Sequence, residues 1–338
     1  MKAIQIKNSK GPATSLYIDD HVAAPRIPVI GEALVKVDTF ALNRMDILQR
    51  EGIYPVPEGA SSILGVEFCG IVLAVGSPDE HFKVGDKVFG LASGGAYAEQ
   101  ILVQTSLLIK YSPSAKLEFQ TCAGIPEVWF TATQALIKIA EIQTTGAKRI
   151  LIHAGASGVG IAALQIAKKI IGPGGTLFAT VGSQEKIDFL SRLISGDGVE
   201  FVPINYKTQD FEAVVSQHGG ADAIVDFIGP AYLQKNIKCL NLDGRLVLLS
   251  LLSGSGSAEV PVGLLLRKRL RIEASTLRSR TIKYQTGIKS LFEQYAYQEL
   301  ITGEFVNPID KTFQWSEIVR AHEYMESNQS MGKILCTI

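Results

Sequence analysis

The stretch with the clearest chemical content is Arg149-Ile-Leu-Ile-His-Ala-Gly155-Ala-Ser-Gly158-Val-Gly160, continued by Ile161-Ala-Ala-Leu-Gln-Ile-Ala-Lys-Lys169. Its first residues are apolar and β-branched, which predicts a buried strand. Three glycines within six residues then predict a tight turn, and Ile161, Leu164, Ile166 and Ile170 recur at helical spacing. Strand, glycine turn and helix in this order point helix N-terminal N–H groups at a pyrophosphate. Glycine suits the turn because a side chain would hold a phosphate away from the backbone. The spacing is G-x-x-G-x-G rather than G-x-G-x-x-G, and such a turn also serves as a plain corner without a ligand. Ala156, Ser157, Gly158, Val159 and Gly160 are the candidate phosphate cradle.

The following segment narrows the ligand. Leu177–Val181 predicts a second strand, and Gly182-Ser183-Gln-Glu-Lys186 follows it. NAD-preferring folds place an Asp or Glu at the end of this strand for the ribose 2′-OH. Gly182 and Ser183 remove that negative charge and Lys186 adds a positive one, which favours a 2′-phosphate and hence NADPH. Lys186 read alone is also compatible with a solvated helix lysine.

These elements sit in a chain of 338 residues, enough for two domains with sizeable cores. The formal net charge is zero, so no basic surface calls for nucleic acid. The four cysteines, Cys69, Cys122, Cys239 and Cys336, form no C-x-x-C pair and suit a reducing compartment. No run approaches the roughly 18 apolar residues that span a bilayer. Met1–Lys7 alternates like a strand and has no signal-peptide apolar core. A cytoplasmic protein without a membrane partner is expected, with nuclear presence also open.

Residues 1–128 predict a barrel-like β domain. Its strands are Met1–Lys7, Glu32–Phe40, Cys69–Val75, Lys87–Leu91 and Ala96–Val103, with turns at Gly11-Pro12, Pro28, Gly31, Gly76-Ser-Pro78 and Gly85-Asp86. A less regular stretch, Ala41–Pro57, interrupts it. A helix is predicted over Val128–Ala140. Strands at 149–154, 177–183, 201–206, 223–229, 245–251 and 269–276 then alternate with helices, as in an open, doubly wound parallel sheet. After residue 277 the alternation stops. Amphipathic helices near Tyr284–Ile301 and Trp315–Ser327 and a strand at Gly332–Thr337 are too little for a domain and are expected to complete the β domain. The predicted fold is therefore α/β: a catalytic domain from 1–128 and 277–338, with a Rossmann NADP(H)-binding domain, 129–276, inserted.

Several motifs together resemble the medium-chain dehydrogenase/reductase superfamily, and within it the zinc-free, zeta-crystallin-like quinone oxidoreductase branch. They are Ala41-Leu-Asn43-Arg44-x-Asp46, Gln49-Arg50-x-Gly52-x-Tyr54-Pro, Gly59-Ala-Ser61, Ile63-Leu-Gly65, Val84-Gly85-Asp86-x-Val88 and Ile125-Pro126-Glu127. Further on come Leu151-Ile-His-Ala-Gly155-x-Ser-Gly-Val-Gly160, Gly182-Ser183-Gln184-x-Lys186, Asn205-Tyr206-Lys207, Leu277-Arg278-Ser279-Arg280 and Met325-Glu326…Gly332-Lys333-Ile334. The resemblance covers essentially the whole chain. It implies a GroES-like catalytic domain, a pyrophosphate held by Ala156–Gly160, and a 2′-phosphate surrounded by Ser183, Lys186 and Tyr206. It also implies Asn43 and Thr131 near the nicotinamide, Tyr54 bordering the substrate cleft, and a homodimer joined through the edge at Arg269–Thr276.

The superfamily's alcohol dehydrogenases use an early Cys and a Gly-His-Glu motif for zinc. At the matching positions stand Asn43 and Gly65-Val66-Glu67, without sulfur or imidazole, so no metal is expected. Without a Lewis acid, simple alcohols are poor substrates. Quinones and conjugated enones need less help because hydride addition gives a delocalised anion, which Tyr54 or water could stabilise. The expected activity is NADPH-dependent reduction of such acceptors. A 2-alkenal or enoyl-thioester reductase is the alternative enzyme, and a non-catalytic NADPH-binding protein the alternative of another class. Among single residues, Tyr54 fits either a packing aromatic between Pro55 and Pro57 or a substrate contact. His153 fits a satisfied core histidine, Glu67 a structural carboxylate, and Arg267-Lys268-Arg269-x-Arg271 a solvated or interface segment.

Overall fold

The computed structural model describes residues 1–76, 81–113 and 116–338. Ser77 and Pro78 of the predicted turn at Gly76-Ser-Pro78 lie outside the described residues. The chain divides into two compact units, residues 1–130 with 277–338 and residues 131–276.

The first segment of unit 1 carries β1 (Ala3–Ile6), β2 (Leu16–Asp19), β3 (Glu32–Ala41), α1 (Arg44–Arg50), β4 (Glu67–Val75), β5 (Lys87–Leu91), β6 (Gln100–Gln104) and β7 (Leu108–Lys110). The stretch expected to be irregular thus contains α1. Asp46 starts it by accepting the Asn43 backbone N–H at 2.8 Å, the acidic half of a capping box. The predicted strand over Ala96–Val103 is shorter than expected. Ala96 and Tyr97 donate their N–H groups to Gly65 and Leu64 instead, leaving the ladder to begin at Gln100. Helix α2 (Pro126–Thr133) begins on a proline, whose missing N–H costs nothing at a first turn. It passes into a π-helical turn at Gln134–Ile139, so the predicted helix over 128–140 is two kinds of helix in succession.

Unit 2 continues with α3 (Ile142–Thr145), β8 (Arg149–Ile152), α4 (Gly158–Ile171), β9 (Thr176–Val181), α5 (Gln184–Ile194) and β10 (Glu200–Asn205). Then follow α6 (Phe211–Gln217), β11 (Ala221–Asp226), α7 (Pro230–Cys239), β12 (Leu240–Leu248), α8 (Val262–Lys268) and β13 (Arg271–Ala274). The last segment returns to unit 1 with α9 (Ile282–Phe292), α10 (Gln298–Thr302), β14 (Ile309–Gln314), α11 (Ile318–Glu326) and β15 (Lys333–Thr337).

In unit 1 the strands run β14-β15-β3-β4-β5-β7, with β6 also on β3, and β1 and β2 pair apart. The C-terminal segment joins this sheet by β15 pairing antiparallel to β3. The barrel-like expectation is met by this β unit; strand pairing among the described residues leaves its sheet open. Its core packs Val35, Phe40, Phe68, Tyr97 and Ile334. Unit 2 holds one sheet of six parallel strands, ordered β10-β9-β8-β11-β12-β13. The order reverses between β8 and β11, and open α/β sheets take their ligands outside the strand C-termini at such a reversal.

Candidate functional site

Unit 2 presents its candidate groups at those strand ends. Beyond β8 the chain turns at Ala154, which takes a left-handed φ of 48°. Gly155 follows because a Cβ there would lie 2.7 Å from the Ala179 Cβ of β9. Ser157 caps α4, accepting the Gly160 N–H at 3.0 Å. A Cβ on Gly160 would come within 2.5 Å of the Ala154 carbonyl oxygen, so only glycine lets helix and turn approach this closely. The first-turn N–H groups of α4 lack intrahelical acceptors by construction, and of these the Gly160 N–H is taken by the Ser157 cap.

The second cluster lies beyond β9. Ser183 caps α5, accepting the Lys186 N–H at 3.4 Å. Gly182 packs under Tyr206, where a Cβ would sit 2.7 Å from the phenol oxygen. The Tyr206 N–H donates to the Val181 carbonyl at 3.0 Å, and its side chain is half exposed. Gly182, Ser183, Lys186 and Tyr206 are thus brought together around one helix N-terminus. Thr131, at the start of unit 2, has a hydroxyl oxygen shut off from solvent with no hydrogen-bond partner among the described residues.

His153 is a core histidine, as expected. Its Nδ1 lies 3.0 Å from Thr180 Oγ1 and its Nε2 2.8 Å from Asn236 Oδ1. Burial pushes its pKa down to about 4, so the ring is neutral. Asn236 Nδ2 donates in turn to Asp226 at 3.0 Å, whose carboxyl burial raises to about 6. The basic run at 267–271 is built into unit 2. Lys268 Nζ donates to the Lys238 and Leu240 carbonyls, Arg269 forks onto Asp243, and Arg271 donates to the Ile139 carbonyl.

Unit 1 gathers a different set. Asn43 is 8% exposed. Its Nδ2 donates to Glu67 Oε1 at 2.8 Å, and its Oδ1 accepts from Lys333 Nζ at 2.8 Å. Lys333 Nζ also donates to the Leu42 carbonyl at 2.7 Å and lies 2.7 Å from Glu67 Oε1. The two charged side chains are 3% and 0% exposed. Glu67 Oε2 accepts the Glu127 N–H at 2.9 Å, which confirms Glu67 as a structural carboxylate. Both ends of the Asn43 amide are therefore fixed, one by a carboxylate and one by an ammonium.

A buried chain supports α1 from behind. Arg50 Nη1 lies 3.2 Å from His322 Nδ1, and His322 Nε2 lies 3.3 Å from the Tyr97 hydroxyl. Tyr97 donates to Asp46 Oδ2 at 3.2 Å. Since Arg50 only donates, His322 Nδ1 accepts and Nε2–H points to Tyr97. Burial, with Arg50 adding, lowers the His322 pKa to about 3, and burial raises Asp46 to about 6.

Tyr54 stands in the loop after α1, with its ring 5.7 Å from the Arg278 guanidinium carbon. Burial raises the pKa of its hydroxyl. Arg278 donates from Nε to the Ser93 carbonyl at 2.8 Å and from Nη1 to Gln49 Oε1 at 2.7 Å. Burial, reinforced by Glu67, raises the Glu127 carboxyl to about 8. Asn43 and Tyr54 thus fall in unit 1, and Thr131, the cradle and the 2′-phosphate candidates in unit 2. Lys333, Glu127, Arg278 and Gln49 lie inside the motifs quoted above, yet sequence reasoning gave them no role. The signal for Lys333 and Glu67 is a charge inside an apolar strand run.

Two family models match this chain: an alcohol dehydrogenase GroES-like domain over residues 30–113 and a zinc-binding dehydrogenase over residues 158–293. A quinone oxidoreductase of Lama guanicoe is 27% identical over 99% of this chain and 97% of its own length. Probable polyketide synthase 40 of Dictyostelium discoideum is 32% identical over 65% of this chain, which spans only 9% of that relative. The solved quinone oxidoreductase of Coxiella burnetii superimposes with a TM-score of 0.80 at 29% identity, over 100% of this chain and 99% of that one. With both units matched in sequence and the whole chain matched in fold, the chain belongs to the medium-chain dehydrogenase/reductase superfamily.

Proposed function

We propose that the protein is an NADPH-dependent reductase of quinones or conjugated enones that transfers hydride without a metal. The observation that carries this is the Lys333 ammonium seated among the Leu42, Asn43 and Glu67 oxygens, in a chain similar to a quinone oxidoreductase over 99% of its length.

One matched model is described as a zinc-binding dehydrogenase, and the residues here do not fit zinc. Asn43 and Glu67 offer an amide and a carboxylate whose oxygens already accept from Lys333, from Asn43 Nδ2 and from the Glu127 N–H. A divalent ion would have to enter beside an ammonium. Among the described residues no group of His, Cys, Asp and Glu could hold one.

A nicotinamide dinucleotide does fit. The cradle at Ala156–Gly160 is closed to any Cβ at Gly160, and Thr131 has an orphaned hydroxyl. Bound NADPH would supply the hydride, leaving the chain to bind and orient. Ala156, Ser157, Gly158, Val159 and Gly160 would take the pyrophosphate. Gly182, Ser183, Lys186 and Tyr206 would take the 2′-phosphate. Thr131 is assigned to the nicotinamide carboxamide, and Asn43 keeps its assignment towards the nicotinamide. Tyr54 would pack on the acceptor. A cytoplasmic location and a homodimer through β13 belong to the same proposal. β13 pairs only with β12 among the described strands, so its outer edge is open.

The similarity to a polyketide synthase favours an enoyl-thioester or 2-alkenal substrate as the second reading. NADPH consumption against ortho-quinones, para-quinones, short enones and enoyl-CoA thioesters tests both. Quinone or enone turnover that survives a chelator is expected. Turnover of thioesters alone selects the second reading, and NADPH binding without any turnover leaves a non-catalytic NADPH-binding protein.

A further inference from the structure

We propose that Arg278 binds the acceptor, its Nη2 donating to the oxygen that gains negative charge as hydride is added. This rests on the reductase reading and adds a substrate class to it: acceptors whose reducible carbon is conjugated to a carbonyl oxygen.

Arg278 is 3% exposed. Its guanidinium is held rigidly from one side. Nε is fixed on the Ser93 carbonyl and Nη1 on Gln49 Oε1, while Gln49 Nε2 is itself tied to the Ser62 carbonyl at 3.1 Å. Nη2 is shut off from solvent and has no hydrogen-bond partner among the described residues. Buried polar atoms are nearly always paired, and a guanidinium nitrogen cannot lose its proton to escape the cost. Asp46 and Glu127 are near enough to Arg278 to influence it electrostatically, yet neither accepts a hydrogen bond from it. An acceptor is therefore missing, and the geometry leaves it to a ligand.

The surroundings suit a small conjugated ligand. The Tyr54 ring lies over the guanidinium. The same loop exposes the apolar side chains of Ile53, by 69%, and Val56, by 38%. Gly94 has a φ of 152°, and a Cβ there would lie 3.3 Å from Nη2 and 2.6 Å from the Ser61 carbonyl. Any side chain there would crowd Nη2 and the Ser61 carbonyl. A second orphan belongs to the same neighbourhood: Glu127 Oε2 is buried without a partner, and its carboxyl acts electrostatically on both Tyr54 and Arg278.

The chemistry balances simply. A C–H bond forms at the reducible carbon, the π pair of its C=C bond shifts into the bond towards the carbonyl, and the C=O π pair moves onto oxygen; bound NADPH would supply the hydride and its electron pair, being oxidised to NADP⁺. The oxyanion, stabilised by the Arg278 N–H groups, then takes one proton from solvent. A preorganised donor at such an oxyanion acts on the transition state.

The test uses the full chain with Arg278→Met and Arg278→Lys. The non-reducible probe is 4-nitrophenolate above its own pKa, whose visible band shifts when its oxygen accepts a hydrogen bond. Arg278→Met should weaken its binding roughly tenfold or more and lower kcat for 9,10-phenanthrenequinone on the order of a hundredfold. NADPH affinity should be retained, and the melting temperature should fall, because the bonds to Ser93 and Gln49 are lost, with the protein still folded at the assay temperature. Arg278→Lys, which keeps the charge and loses the fork, should fall between. Wild-type phenolate affinity and quinone kinetics in a folded Arg278→Met protein would reduce Arg278 to a clamp between Gln49 and Ser93. If that variant does not fold, wild-type behaviour of Arg278→Lys for both readouts overturns the proposal equally. A wild-type protein that reduces no acceptor sinks the reductase reading, and the phenolate measurement still decides Arg278.

Discussion

The two units gather polar groups in opposite ways. In unit 2 the candidate ligand groups come from short, contiguous segments, 154–160, 182–186 and 206. Parallel strands end on one side of their sheet, and each is followed by a helix whose N-terminus is already polarised. In unit 1 the Asn43 amide meets an ammonium 290 residues away in the sequence. Its other end meets a carboxylate 24 residues away. The buried network of unit 2 is built around a neutral histidine, whereas that of unit 1 contains an ion pair. A local, dipole-based site tolerates the loss of one group. A buried charge pair does not, because its desolvation is offset only while both partners are present.

The sharpest way to break this contrast is Lys333→Met. It leaves the Glu67 carboxylate buried beside an amide and a backbone N–H only, and should destabilise unit 1 by about 3–5 kcal/mol. Urea unfolding would measure it. Adding Glu67→Gln to Lys333→Met should return much of the loss, since no unpaired charge then remains. If the double variant is as unstable as the sum of the singles, the pair is not coupled.

A smaller effect comes from Glu127. Its folded-state pKa of about 8 exceeds the ordinary carboxyl value of 4.5. Between those values the folded chain holds a proton that the unfolded chain has released, so stability falls as pH rises through that window. Below 4.5 both states are protonated and the contribution is level. Glu127→Gln removes the titration. Its stability relative to the native chain should therefore rise from pH 5 to pH 8, by on the order of 1.4 kcal/mol per pH unit within the window. A flat difference between the urea midpoints of the two proteins across that range would contradict a neutral, buried Glu127.

The same contrast explains what was legible in the sequence. The parallel sheet, its six strands and the glycine turn follow from periodicity and from residues adjacent in the chain. Helix α1 was missed because its seven residues span under two turns and its cap depends on one carboxylate. The barrel-like β unit was legible as short strands with dense turns, but its strand order β14-β15-β3-β4-β5-β7 was not, because pairing between strands far apart in sequence is not encoded by alternation. His153 was legible as a core residue from its place in an apolar strand. Lys333 and Arg278 were quoted in motifs without roles, because their partners Asn43, Glu67, Gln49 and Ser93 are known only once the chain has folded.

The smallest expected effect tests the local end of the comparison. Lys186 sits in the first turn of α5, and its backbone N–H is already taken by the Ser183 cap, so replacing its side chain leaves the cap intact. If the ammonium pairs with a 2′-phosphate, Lys186→Glu exchanges an attraction for a repulsion at one half-buried contact. NADPH affinity should fall by about 1.5–3 kcal/mol, the range of one charge-assisted hydrogen bond. NADH carries no phosphate there and should bind nearly as before. The loss should shrink as salt is raised, because the contact is screened. Fluorescence titration with both cofactors at two ionic strengths separates the cases. Equal losses for NADPH and NADH would mean that Lys186 supports the helix and not the phosphate. The discrimination would then rest on Gly182, Ser183 and Tyr206, where the missing acidic side chain favours a 2′-phosphate by absence of repulsion alone.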